Sequence, residues 1–293
     1  MVNYRPAGEE DVAGAVEVFV EAVGDLYARN GVTTAPPPDR RTIEQNYRHI
    51  LRTGIFHVAE AEGRVAAICH AVVRGPVWFL SGFWALPSLQ RQRIGGAMLR
   101  RVMEEGAAAG ATVFFTWSSI DLTAMAAYMK AGMLPGYQIL TFSGRLPEET
   151  AGPDGATEIE SQPLTISSAA ALDERVRAAR REVDHEFWLS EVGLRARQLV
   201  KGGKVVGYFY LNGAAVGPAA WDEELGAEAL LAAACRELRG RSEEVRLMAP
   251  GVNHDAIRFA LGRGLRLVAF SHLLTTSPFG RMERYLPSGP SLF

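Results

Sequence analysis

The feature that most constrains this chain is that it repeats itself. EGRVAAICHAVV at residues 62–73 recurs as GGKVVGYFYLNG at 202–213. IGGAML, starting at Ile94, is echoed by LGAEALL around Gly226. DLTAMAAYMKAGM, starting at Asp121, is echoed by NHDAIRFALGRGL, which places Asp121 opposite Asn253 and Gly132 opposite Gly264 at the same spacing. One short similarity arises by chance; several in the same order point to a duplicated fold.

The stretch between the two copies, PEETAGPDGATE, is rich in Pro, Gly and acidic residues and almost devoid of apolar ones. It marks a domain boundary. The expected organisation is one domain over 1–146, a linker over 147–157 and a second domain over 158–293. At 293 residues and 48% hydrophobic content, the chain can give each half its own core.

In the first half, residues 2–6 read as a strand and 11–30 as a helix with Val12, Val16, Phe19, Val20 and Val23 on one face. Three prolines in TTAPPPD force a loop before a second helix over 40–52. The apolar runs 55–60, 64–73 and 77–86 read as an antiparallel meander. A helix over 94–109, the strand TVFFTW, a helix over 123–131 and a strand pair within 136–146 complete the half. The expected class is α/β (α+β), each half a mixed, mostly antiparallel sheet flanked by helices.

A net charge of −2 argues against a nucleic-acid partner. Cys69 and Cys235 lie far apart with no CxxC pairing, so a disulfide framework or cysteine metal site is not expected, and a reducing, cytoplasmic setting is. No apolar run approaches the ~20 residues that span a bilayer, so no membrane role is expected.

The segment 86–102, LPSLQRQRIGGAMLRRV, carries two arginines and two glycines where a strand hands over to a helix. Unpaired amides and the positive end of a helix dipole bind phosphate there. Gln90, Arg91 and Arg93 add donors and charge, and Gly95 and Gly96 permit close approach. The pattern is neither a Walker loop nor a G-x-G-x-x-G fingerprint.

These residues resemble the cofactor motif of the GNAT superfamily of acyl-CoA N-acyltransferases, [QR]-x-x-G-x-[GA] after a proline-bearing turn. Pro87 and Gln90-Arg91-Gln92-Arg93-Ile94-Gly95 supply it, with Arg93 standing where the family has glycine. Asp121 to Met133 resembles the family's N-x-x-A-x-x-x-Y-x-x-x-G-[FM] helix: Ala124 and Tyr128 fit, and Asp121 replaces asparagine. The resemblance implies acetyl-CoA as cosubstrate and a small amine or peptide as acceptor, with the protein a monomer or homodimer. It also implies a bulged strand at 81–86 that places Phe83, Trp84, Ala85 and Leu86 along the thioester. Ala85 would offer a main-chain N–H to the oxyanion, and Tyr128 a proton to the departing thiolate. A non-catalytic acyl-CoA-binding or sensor protein is the alternative.

The strand VWFLSGFWAL contains no Asp, Glu or His, so the base that frees the amine must be water, His70 or a group from elsewhere. One expectation is a carboxylate at the end of the tail, at Phe293, reaching the space between Ala85 and Tyr128; a frayed PSGPSLF tail is the simpler expectation. In the second half, Trp221-Asp222-Glu223-Glu224 stands where Gln90–Arg93 stands in the first, and Ala260 replaces the tyrosine. Its carboxylates would repel a pyrophosphate, so this half is expected to be degenerate and silent. Glu182, His185 and Glu186 read as a solvated helix face, with Phe187 and Trp188 inward. His57 and His70 read as satisfied structural histidines, and KGGK as a hairpin turn.

Overall fold

The computed structural model describes residues 2–32, 39–89, 94–147 and 158–293. Packing divides the chain into two units, Met1–Leu134 and Pro135–Phe293.

The first unit runs β1 (Asn3–Pro6), α1 (Val12–Arg29), α2 (Arg40–Thr53), β2 (Ile55–Ala61), β3 (Arg64–Arg74), β4 (Val77–Ala85), α3 (Ile94–Ala108), β5 (Val113–Ser118) and α4 (Leu122–Lys130). Its sheet order is β1-β2-β3-β4-β5. The first four strands are antiparallel, as the tight turns at 62–63 and 75–76 require, and β5 joins β4 in parallel after the α3 crossover. Arg5 ties β1 to the start of α1 through Asp11, its Nη1 donating to Oδ2 at 2.6 Å.

An extra residue in β4 decides which side chains face which helices. His70 pairs with Gly82 and Ala71 with Leu80, so Ser81 has no opposite number. This bulge reverses the in–out alternation of the strand beyond it. Trp78 faces α3, where it lies against Gly106, and past the bulge it is Phe83 that faces α3, at Gly95. Trp84 faces the other way and meets Phe19 of α1 edge-on, ring centroids 5.1 Å apart. His70, on that same face, packs on Tyr47 of α2 at 4.8 Å. Helices α1 and α2 therefore cover one face of the sheet, α3 and α4 the other. The core holds Val58, Ile68, Phe79, Val102, Phe115 and Met133, all essentially inaccessible. Each such side chain contributes about 1.5–3 kcal/mol by leaving water.

The second unit continues with β6 (Leu134–Arg145), β7 (Ile159–Pro163), α5 (Ile166–Arg177), α6 (Glu182–Glu186), β8 (Arg195–Lys201), β9 (Lys204–Asn212), β10 (Ala215–Trp221), α7 (Ala227–Leu238), β11 (Glu244–Pro250), α8 (His254–Gly262), β12 (Arg266–Thr275) and β13 (Tyr285–Leu286). Its strands lie in the order β12-β6-β11-β10-β9-β8-β7, with β13 on β10. KGGK forms the β8–β9 turn with both glycines at positive φ. The core gathers Phe209, Leu230, Leu231, Val245, Leu247 and Phe142.

One sequence expectation is corrected here. The segment 136–146 is part of one long strand, not a strand pair. That strand, β6, pairs along its length with β11, from Arg145↔Glu244 to Ile139↔Pro250. Packing places β6 with the second unit, which begins at Pro135; of the expected linker 147–157, residues 148–157 lie outside the described residues. A strand's own sequence carries its alternation but not the identity of its partner.

Candidate active site

The parallel ladder between β4 and β5 runs from Val77↔Val113 to Leu80↔Thr116 and stops there. At its end, Thr116 Oγ1 donates to the Leu80 carbonyl at 3.3 Å. Beyond that point β4 continues along β3, to Ala67↔Ala85, with the Ser81 bulge just past the last β5 pair. The two parallel strands therefore part at the bulge, and a wedge opens between them.

Three elements converge on the wedge through one side chain. Gly95, in the first turn of α3, sits so close to Phe83 that an added Cβ would lie 2.5 Å from its Cζ, so a larger residue there would displace the Phe83 ring. The Tyr128 ring of α4 lies 6.2 Å from the Phe83 ring. Tyr128 is buried, and burial pushes its phenol well above the usual value, with Cys69 and Asp121 acting in the same direction. The phenol is therefore a protonated donor across the physiological range.

The remaining expected positions divide. Ala85 and Phe83 share the α3 face and are half-buried. Trp84 belongs to the α1 face. Leu86 is buried, and its N–H donates to the Ala66 carbonyl at 2.9 Å. Asp121 caps α4, its Oδ1 accepting from Thr123 N at 2.8 Å and from the half-buried Ala124 N at 3.2 Å. Gly96 is exposed and faces open space, so the first turn of α3 is approachable. Gln90, Arg91, Gln92 and Arg93 lie outside the described residues, as does the side chain of Ile94.

The candidate bases fare differently from expectation. His57 Nε2 donates to the Glu105 carboxylate of α3 at 2.9 Å, a structural pairing. His70 is not satisfied: neither ring nitrogen has a partner, and the ring is wedged against Gly82 between Tyr47 and Phe56. Burial pushes its pKa down to about 3, so it is neutral at pH 7 and a very weak base. It also lies on the sheet face opposite Phe83 and Tyr128. The tail is not frayed. Phe293 is fully buried within the second unit, where its main-chain oxygen accepts from Arg181 Nη1 at 2.7 Å.

Sequence reasoning missed the most elaborate polar cluster among the described residues. Asp173, Arg181 and His185 are all buried; of the expected solvated face at Glu182, His185 and Glu186, His185 is corrected, since it is buried with Asp184, Phe187 and Trp188, while Glu186 is exposed and Glu182 half-buried. Arg181 Nε donates to Asp173 Oδ2 at 2.5 Å, and His185 Nε2 meets the same oxygen at 2.9 Å. Tyr208 donates to Asp173 Oδ1, and His185 Nδ1 lies 2.8 Å from the Tyr210 hydroxyl. Burial alone would raise the Asp173 carboxyl, but Arg181 and His185 hold it well below the usual carboxylate range. Tyr208 and Tyr210, two apart on β9, were the legible signal: both must face one side, and their hydroxyls need partners there.

No group of three or more potential metal ligands is assembled among the described residues, and no described helix is long and apolar enough to cross a membrane. Residues 20–133 match the acetyltransferase (GNAT) family. No curated protein matches the chain. Among solved structures, a candidate acetyltransferase from Pyrococcus horikoshii is similar over 100% of this chain and 96% of its own, with 15% identity and a TM-score of 0.76. A tandem GNAT protein from the clavulanic acid biosynthesis pathway is similar over 95% of this chain and 99% of its own, with 16% identity and a TM-score of 0.62. A GCN5-related N-acetyltransferase from Sphaerobacter thermophilus is similar over 95% and 96%, with 14% identity and a TM-score of 0.63.

Proposed function

We propose that this chain, whose residues 20–133 match the acetyltransferase (GNAT) family and whose fold is similar to that of a tandem GNAT protein, moves an acetyl group from acetyl-CoA to a primary amine. The reaction is assigned to the first unit. The observation that carries this reading is the convergence of the bulged β4, the first turn of α3 and Tyr128 on Phe83, at the wedge between two parting parallel strands.

In this reading the loop 90–96 holds the pyrophosphate: Arg91, Arg93 and the α3 N-terminus offset its charge, and Gly96 leaves the amides approachable. Phe83 walls the pantetheine arm. The amine nitrogen attacks the thioester carbonyl carbon; a C–N bond forms and the carbonyl pair moves onto oxygen. A main-chain N–H of the 83–85 stretch, assigned to Ala85, stabilises that oxyanion. Collapse breaks the C–S bond, and the thiolate leaves.

Tyr128 donates a hydrogen bond to that thiolate. A thiol has a pKa of about 8.5 and a phenol about 10. With burial raising the phenol further, Tyr128 stabilises the thiolate more than it surrenders its proton. The attacking amine must arrive neutral. β4 carries no Asp, Glu or His, and His70 is too weakly basic, so the amine's proton is lost to water. Cys69 and Cys235 are both unpaired thiols and buried, and we assign the protein to the reducing cytoplasm.

The test is thiol release from acetyl-CoA across a panel of primary amines, peptide N-termini included. Turnover with at least one class, abolished or strongly reduced in Tyr128→Phe, supports the enzyme. Tight acetyl-CoA binding with no thiol release from any amine would make the protein an acyl-CoA sensor.

A further inference from the structure

The second unit opens a wedge of its own, and the wedge is filled. β10 pairs with β11 only at Ala215↔Arg246 and Val216↔Leu247. An irregularity at Gly217-Pro218 follows, in the place of the Ser81 bulge. Past it, one edge of β10 still pairs with β9, Ala219↔Phe209 and Ala220↔Tyr208. A strand has two edges, so the partner on the other must lie on the β11 side. That partner is β13, antiparallel, with Ala219↔Leu286 and Ala220↔Tyr285. β13 also lies against β11. A strand from later in the chain thus occupies the space that corresponds to the β4–β5 wedge of the first unit.

The surroundings have changed to suit a polypeptide. Asn253 stands where Asp121 stands in the first unit and is fully buried. Its Oδ1 accepts from Ala256 N at 3.1 Å, as a helix cap, while its Nδ2 donates to the Tyr285 carbonyl at 3.0 Å. An aspartate could do the first and not the second. The acidic loop that would repel a pyrophosphate meets arginines instead. Arg281 pairs with Glu223 at 2.6 Å, and Arg284 Nη1 donates to the Asp222 carbonyl at 2.8 Å. Met282, Tyr285, Leu286, Leu292 and Phe293 are each at most 3% exposed. A cavity of about 340 Å³ survives beside the strand, lined by Glu223, Asp255 and Glu283 together with His254, Arg258 and Arg284.

We infer that residues 281–293 are a built-in peptide ligand of the second unit, seated in its degenerate cofactor wedge and recognised by Asn253 and the 222–224 acidic loop. The main chain of Tyr285–Leu286 takes the edge of β10 by strand addition. The charge pattern is inverted relative to the first unit: acidic on the loop, basic on the occupant. The second unit is therefore closed to coenzyme A by occupancy as well as by charge.

The test needs no acyl transfer, so it stands or falls separately from the proposed activity. A specific protease site inserted between Ser277 and Pro278 lets the segment be cut in the folded, full-length protein. The freed 278–293 fragment should stay bound through native size exclusion. After stripping, a synthetic 280–293 peptide should rebind with a Kd of ~1 μM or tighter and restore hydrogen-exchange protection at Ala219 and Ala220. Asn253→Asp, which keeps the helix cap and removes the donor, should weaken rebinding about 10-fold. Glu223→Arg should weaken it ~3-fold, and a peptide carrying Arg281→Glu should restore it. A fragment that washes away on cutting, with Ala219 and Ala220 still protected, overturns the inference. So does rebinding that is indifferent to Asn253→Asp.

Discussion

Each unit holds two parallel strands that part after a short ladder, and the two gaps differ in what lies in them. In the first unit the parallel ladder ends at Leu80↔Thr116, and the strands part toward a glycine-opened helix start and a buried tyrosine. In the second the ladder ends at Val216↔Leu247, and the gap receives two residues of the chain itself. The two halves also bury histidine differently. His70 has no partner on either nitrogen, whereas His185 is held by Asp173 and Tyr210. Both units keep the parting strands, while the residues that line the two gaps differ.

The sharpest way to break this comparison is Tyr128→Phe. If the first wedge is the reacting one, kcat should fall by ~10²–10⁴ while KM for acetyl-CoA moves little. A wild-type kcat would reduce Tyr128 to packing. Next in size is the buried pair of the second unit. Asp173→Ala strands Arg181 without its carboxylate and should lower stability by about 3–5 kcal/mol, read by denaturant unfolding of the second unit. Because the Asp173 pKa is depressed on folding, its contribution is complete above the unfolded carboxylate pKa of about 4 and lost only as pH falls below it. Stability that already drops between pH 7 and 5 must come from another group. His70→Leu is the contrasting change: removing an unsatisfied buried imidazole should leave the first unit as stable or raise its Tm. A clear loss of stability or activity would mean His70 has a partner in the working protein.

Charge reversal comes next. Arg91→Glu with Arg93→Glu should weaken acetyl-CoA binding ~100-fold or more by calorimetry. Asp222→Lys with Glu223→Lys should leave that affinity within about 2-fold while loosening the 281–293 segment. Equal losses in both double variants would sink the one-site reading. The smallest effect is in pH. With no carboxylate base on β4 and His70 silent, kcat/KM for an alkylamine should rise about 10-fold per pH unit from 6 to 9, following the neutral amine. The raised Tyr128 pKa predicts no falling limb in that range. A plateau beginning near pH 6 to 7 would reveal a base.

Much of this was legible in advance because the repeat constrains it. The element order, the end of β4 at Ala85, the start of α3 at Ile94 and the α4 helix all follow from local pattern and from its second occurrence. Three things were not legible, each for a physical reason. β13 is two residues long, and nothing in RYLP indicates a strand whose partner lies in β10. The Asp173 cluster joins two helices and a strand, and charged residues on a short helix ordinarily face water. The bulge at Ser81 was expected only through the family resemblance; alternation alone, counted from Trp78 by twos, puts Phe83 on the wrong face. Local pattern shows what an element is; these three depend on what it meets.

The late position of β13 also sets a schedule for synthesis. β10 is complete at Trp221, yet the strand that closes its free edge does not exist until Tyr285 and Leu286 have been made. At ordinary elongation rates that interval is on the order of several seconds. Throughout it, Ala219 and Ala220 present bare main-chain donors and acceptors on an apolar edge, the arrangement most prone to pairing with a neighbouring nascent chain. Anything that stalls the ribosome between α8 and β13 should therefore send this protein toward aggregation rather than toward a half-made soluble product.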